Sequence, residues 1–155
     1  QMVPDLKENS RVTCIEGFNA RELSPDTLSE LIGELPEFGV VVADLSFISL
    51  TLVLPAMASV APKADFVLLI KPQFEVGKES LHASGIVNDH RLRAEAIKQV
   101  VDCADDLGFG IRDLVRSELP GTHGNIEYVL WICANQPKNR SQWNSKIEQL
   151  AKEGK

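Results

Sequence analysis

The feature that most limits what this chain can fold into is a pair of unbroken apolar runs, "GVVVADLSF" (39–47) and "DFVLLIK" (65–71). Neither alternates apolar with polar side chains, so neither reads as a strand with one wet face. Each predicts a strand inside a sheet covered on both faces. Between them, Leu50 to Val60 predicts a helix kinked or started at Pro55. Strand, helix and strand in that order imply parallel pairing through a crossover connection.

The flanking segments extend the alternation. "RVTCIEG" (11–17) is a β-branched run stopped by glycine and predicts another strand. "SPDTLSELIGEL" offers Ser24 as N-cap and Pro25 at the first helical position, with Thr27, Leu28, Leu31, Ile32 and Leu35 on one face. The clearest helix is "DHRLRAEAIKQVVDCADDLG". Asp89 caps it, Leu92, Ala96, Val100, Cys103, Ala104 and Leu107 form its apolar stripe, and Gly108 stops it. "FGIRDLVRSEL" and "IEYVLWICAN" predict two closing strands paired like a hairpin. Residues 138–155 read as a charged tail ending in a short exposed helix near Trp143 to Lys152. The fold class is therefore α/β, a mostly parallel sheet wrapped by helices with an antiparallel last strand.

In such sheets ligands bind beyond the carboxyl ends of the strands. The first of the two apolar runs ends in Asp44 and Ser46, the second in Lys71, and the last strand begins beside Glu127. A strand antiparallel to the others starts on the rim where they finish, so Asp44, Lys71 and Glu127 are expected to converge. Burial of an amine there disfavours its charged form, while neighbouring carboxylates favour it. That balance suits a general base, or an anchor for a substrate hydroxyl. Each residue alone also has a plainer reading: Lys71 snorkelling at a strand end, Asp44 capping a helix, Glu127 as a solvated edge charge.

Composition narrows the classes. A net charge of −6 opposes nucleic-acid binding through bulk charge, leaving a local basic patch or a separate basic domain to do that work. Cys14, Cys103 and Cys133 read as reduced core thiols, and neither they nor the scattered histidines have metal-ligand spacing, so no metal is expected. The most apolar window, Leu45 to Pro62, is interrupted by Ser46, Ser49, Thr51 and Pro55 and is too short to span a bilayer comfortably. With no signal peptide in "QMVPDLKENS", the reading is cytoplasmic.

Three segments, "VVADLSFISLTLVLPA", "LLIKPQFEVGKE…GIVND" and "PGTHGNIEYVLW", together resemble the hemolysin A/TlyA family, with its FtsJ-like methyltransferase fold. The resemblance runs from Gln1 to about Asn135. It implies a Rossmann-like methyltransferase sheet, S-adenosyl-L-methionine as cofactor, and 2′-O-ribose methylation of ribosomal RNA cytidines, with ribosomal RNA or ribosomal subunits as partners. Within the family's Lys-Asp-Lys-Glu tetrad, Asp44 matches the aspartate, Lys71 the second lysine and Glu127 the glutamate. By that resemblance Lys71 helps remove the ribose 2′-hydroxyl proton, while Asp44 and Glu127 position Lys71 and the ribose. Asn19 falls where related enzymes contact the cofactor's adenine, and Asp44 is expected on the cofactor side as well.

The family's glycine-rich cofactor loop, its first tetrad lysine, its first two strands and its S4-like RNA-binding domain have no counterpart in these residues. Residues 1–137 therefore read as the C-terminal two-thirds of a methyltransferase domain, opening on Gln1 in the midst of a longer protein. This chain alone is then expected to be inactive and to bind S-adenosyl-L-methionine poorly. Its strand at 11–17 should rearrange, or the chain should self-associate through a bare sheet edge. Two rival functions stand beside methylation. One is a membrane-active cytolysin, opposed by the negative charge and the missing apolar span; the other is a non-catalytic RNA-binding module. The long segment Pro72 to Asn88, with Gly77, Lys78, His82 and Gly85, is expected to be a mobile lid over RNA, against the plainer reading of a surface loop.

Overall fold

A computed structural model describes residues 2–77 and 85–153. Its elements are α1 (Pro4–Lys7), α2 (Pro25–Ile32), β1 (Val40–Ala43), α3 (Leu54–Val60), β2 (Asp65–Ile70), α4 (Pro72–Glu75), α5 (His90–Asp106), β3 (Gly110–Arg116), β4 (Tyr128–Cys133) and α6 (Asn144–Lys152). The four strands lie in the order β1-β2-β4-β3. β1 and β2 are parallel, and β4 runs antiparallel to both β2 and β3. Three strands thus share one direction, and the last in sequence is reversed and inserted between two of them, which is the expected mixed α/β class.

Local chemistry sets the helix starts. Ser24 Oγ accepts from the Thr27 backbone N–H at 3.1 Å, and Thr27 Oγ1 accepts from Ser24 N–H at 2.9 Å, a reciprocal capping box ahead of α2. Asp89 accepts from Arg91 N–H at 2.8 Å at the head of α5, and Gly108, at φ 92°, turns the chain out of it. α3 holds Pro55 in its first turn, where no N–H is needed, after a 3-10 turn over Leu50–Leu52.

Three expectations are corrected. Residues 11–17 form no strand and are paired with none among the described residues. β-Branched side chains favour extended backbone, but a ladder needs a neighbour, and here the backbone turns locally instead, with Val12 N–H donating to Asn9 O at 2.9 Å. This accords with the expected rearrangement of that segment.

The sheet, secondly, is not covered on both faces. Phe66, Leu68 and Ile70 of β2 are fully buried with residues of α3, α5 and α6, whereas Val40 and Val42 of β1 are 62% and 75% exposed. An apolar run records tolerance of burial on both faces; the covering layer must come from elsewhere, and only one face has it among the described residues.

Thirdly, the tail is part of the core. The Asn139 side chain accepts from Ile111 N–H at 2.9 Å and donates to Ile111 O at 2.8 Å, standing in for a further strand along β3. The backbone of Gln136 and Pro137 crosses Gly110 so closely that a Cβ there would lie 2.5 Å from both carbonyl oxygens. α6 then buries Ile147, Leu150 and Ala151, an i, i+3, i+4 stripe that flanking charges conceal in the sequence. Buried Arg93 of α5 fastens it, its guanidinium donating to Ala151 O near the carbonyl end of α6 and also to Val87 O and Asn88 O.

No helix among the described residues is long and apolar enough to cross a membrane. If α6 is a core element, Ile147→Ala should cost about 2–5 kcal/mol in urea unfolding. An exposed tail would make that loss negligible.

Candidate active site

The register of the sheet brings the charged residues together. β2 and β4 end their pairing at Ile70 and Tyr128, so the next step sets Lys71 level with Glu127. On the other side, Asp44 follows Ala43, the last paired residue of β1. Pro72 ends β2 and opens α4, leaving Lys71 extended at the strand mouth. From there the Lys71 ammonium meets Asp44 Oδ1 at 2.6 Å and lies 3.3 Å from Ser46 Oγ. The lysine side chain is only 13% exposed, whereas that of Asp44 is 70% exposed, so a charge rising from the interior meets its counter-ion at the surface. Asp44 does not cap a helix; Ser49 does that ahead of Leu50.

Glu127 reaches the same rim by another route. It is buried rather than solvated, and its Oε1 accepts from Gln73 Nε2 at 3.1 Å. Its backbone carbonyl accepts from Ser117 N–H at 2.8 Å, prolonging the β3–β4 ladder. The carboxylate presses on Gly121, where a Cβ would lie 2.2 Å from Oε1. No hydrogen bond or ion pair joins Glu127 directly to Lys71 among the described contacts. Asn19 stands apart: its side chain accepts from Arg21 N–H at 3.1 Å and donates to Glu22 Oε1 at 3.1 Å, capping the turn Ala20–Glu22.

A cavity of about 310 Å³ opens beside this rim, lined by Ser46, Phe47, Lys71, Gln73, His123 and Asn125 among others. A cavity of about 500 Å³ near α2, α3 and β1 is lined by no ionisable side chain, and one of about 450 Å³ lined by Asp105, Lys138 and Arg140 includes none of the strand-end residues, so the rim selects the smallest of the three. Phe47 and Gln73 of this lining, and Glu75 close by in sequence, carry no charge pattern or strand-end position that marks them in the sequence. Phe47 is 91% exposed and holds φ at 64°, a conformation that costs a bulky residue free energy, with its ring 5.1 Å from that of Phe74. Glu75, buried at the end of α4, accepts from Leu50 N–H at 2.9 Å and from Ser49 Oγ at 2.5 Å. The clue was present in "KPQFE": two hydrogen-bonding side chains following the lysine, one of them inside a continuous apolar context.

The long segment after Lys71 is anchored at both ends. It begins as α4, and Val76 and Val87 pack in one buried cluster with Ala96. Asn125 accepts from Val87 N–H at 3.0 Å and donates to Gly85 O at 3.0 Å. Lys78 and His82, on which the lid expectation rested, lie outside the described residues.

The parallel strands β1 and β2 end on a lysine–carboxylate pair beside an aromatic-edged cavity, on the rim where open α/β sheets commonly bind ligands. The FtsJ-like methyltransferase family matches residues 1–133, and the chain belongs to that family. It is 43% identical over 133 residues to the 16S/23S rRNA (cytidine-2′-O)-methyltransferase TlyA of Mycobacterium tuberculosis, covering 85% of this chain and 47% of that protein. To Hemolysin A of Brachyspira hyodysenteriae it is 35% identical over 130 residues, covering 83% and 52%. Among solved structures, a candidate hemolysin of Streptococcus thermophilus superposes with a TM-score of 0.82 at 34% identity, covering 97% of this chain and 53% of that one. The chain thus spans about half the length of the curated relatives it matches.

Two outcomes test the geometry. Gly121→Ala should fold with its sheet intact while displacing the Glu127 carboxylate from Gln73, because the added methyl meets the carboxylate and not backbone. A crystal structure of the variant retaining that hydrogen bond would contradict the packing. Burial pushes the Glu75 carboxyl above its ordinary value of 4.5, against the opposing hydrogen bonds from Leu50 and Ser49. The folded state then holds this proton more tightly than the unfolded chain, so the stability Glu75 contributes is fully present below 4.5 and is lost as pH rises through the folded value. Compared with Glu75→Gln, the natural protein should lose urea stability between acidic and neutral pH. Parallel stability curves would refute it.

Proposed function

We propose that this chain is the methyl-acceptor part of an S-adenosyl-L-methionine-dependent enzyme that methylates ribose 2′-hydroxyls of ribosomal RNA, at cytidines. The observation that carries the reading is the 2.6 Å Lys71–Asp44 contact on the strand-end rim. Family membership and the rRNA (cytidine-2′-O)-methyltransferase activity for which the mycobacterial relative is named support it. Lys71, nearly enclosed, holds the 2′-oxygen and, as the free amine formed by releasing a proton to solvent, receives the hydroxyl proton as that oxygen becomes a nucleophile. Asp44 aims the amine and stabilises the ammonium that results, and Ser46 offers the lysine a second polar contact. Glu127, steadied by Gln73, lies level with Lys71 and positions the ribose. The exposed face of Phe47 offers a base a surface to stack on, worth about 1–3 kcal/mol.

When bound, the cofactor supplies a methyl group carried on a sulfonium. Asn19 spends its side chain on its own turn and does not line the cavity beside Lys71, so as placed it does not fit the role of adenine contact. This chain alone is accordingly inactive and binds the cofactor poorly. The exposed valines of β1 and its free edge favour self-association of the isolated chain.

In the full-length protein, with ribosomal subunits and tritiated S-adenosyl-L-methionine, Lys71→Ala should lower methyl transfer by roughly 10²–10⁴-fold. Lys71→Arg should fare no better, because a guanidinium keeps the charge and does not release its proton. Transfer retained by Lys71→Arg would overturn the base role. Liposome leakage insensitive to Lys71→Ala would favour the lytic reading.

A further inference from the structure

Gln73 carries an unexplained feature. It is 7% exposed, and its amide nitrogen donates to Glu127 Oε1 at 3.1 Å, yet its Oε1 has no hydrogen-bond partner. Turning the amide over does not remove the problem, since that sets its oxygen against the oxygen of a carboxylate. A buried acceptor without a donor costs free energy, and structures rarely keep one without a use for it. Lys71, two residues earlier, is engaged with Asp44 and Ser46. Gln73 and Lys71 line the same cavity, together with Phe47 and His123.

We infer that Gln73 Oε1 is the acceptor for an N–H or O–H donor of the substrate nucleoside, making Gln73 a binding residue of this site. The inference rests on the nucleoside-site reading above and adds to it a specific contact. The oxygen itself is buried while Gln73 lines the cavity, so a donor reaches it once side chains of the cavity wall shift. On a pyrimidine nucleoside the candidates are the ribose 2′-hydroxyl and the exocyclic amine of cytosine. Through its nitrogen Gln73 meanwhile keeps Glu127 in place, so one side chain links the carboxylate to the ligand.

The test uses this chain in solution, labelled with ¹⁵N, and titrated with cytidine, 2′-deoxycytidine and uridine. The Gln73 side-chain amide signals are identified by their loss in Gln73→Met. They should move on addition of cytidine while those of exposed Gln142 and Gln149 stay still, and Gln73→Met should weaken cytidine binding several-fold. Movement lost only with 2′-deoxycytidine assigns the donor to the 2′-hydroxyl, movement lost only with uridine assigns it to the amine, and movement with all three assigns it to a donor they share. If Phe47 and Lys71 respond to cytidine and Gln73 does not, the inference is overturned while the nucleoside site stands. If none of the three responds to any nucleoside, the site reading falls and the inference with it.

Discussion

The arrangement of this molecule depends on one topological constraint, the insertion of β4 in reverse between β2 and β3. Reversal places the beginning of β4 where its neighbours end. Glu127, far from Lys71 in sequence, therefore arrives level with it, one step beyond the last paired residues. Insertion also buries β4: Tyr128, Leu130 and Ile132 are fully enclosed and bind the helical layer to the middle of the sheet. A parallel β4 would deliver Cys133 to that rim and carry Glu127 to the opposite end. The site and the core are thus two consequences of the same strand direction.

Around that rim the chain assembles a short relay of polar contacts in an otherwise apolar setting. Lys71 holds Asp44, Gln73 holds Glu127, and Glu75 holds the backbone at Leu50, all three from five consecutive residues. Pro72 makes this possible by ending β2 abruptly, so that α4 turns its side chains back over the strand ends. Asn125 and Arg93 then fix the returning backbone at residues 85–88, and Arg93 connects it to α6. Buried polar groups of this kind tolerate little rearrangement, because each lost partner leaves another group unsatisfied.

Asp44 and Lys71 were legible in the sequence because a charge that interrupts an apolar run at its end has few places to go except the rim. The class of fold was legible for the same reason: continuous apolar runs separated by a helix admit few topologies. Burial of Glu127 was not, since its nearest contacts, Gln73 and Gly121, come from other segments. The stripe of α6 was hidden among charges, and Asn139 looked like an ordinary tail residue until its edge of β3 was known. The strand expected at 11–17 failed because propensity is local and pairing is not. Burial of both faces of β1 failed likewise, because valines are as compatible with an open face as with a covered one until the second layer is located.

The central claim is that Lys71 and Asp44 work as a unit on the methyl-accepting oxygen. A double-mutant cycle on methyl transfer, with Asp44→Ala, Lys71→Ala and the double variant in the full-length protein, measures that directly. The account predicts strong non-additivity, with the double variant scarcely slower than Lys71→Ala alone. Losses that multiply, each substitution imposing its full cost in the presence of the other, would show two independent residues and contradict it.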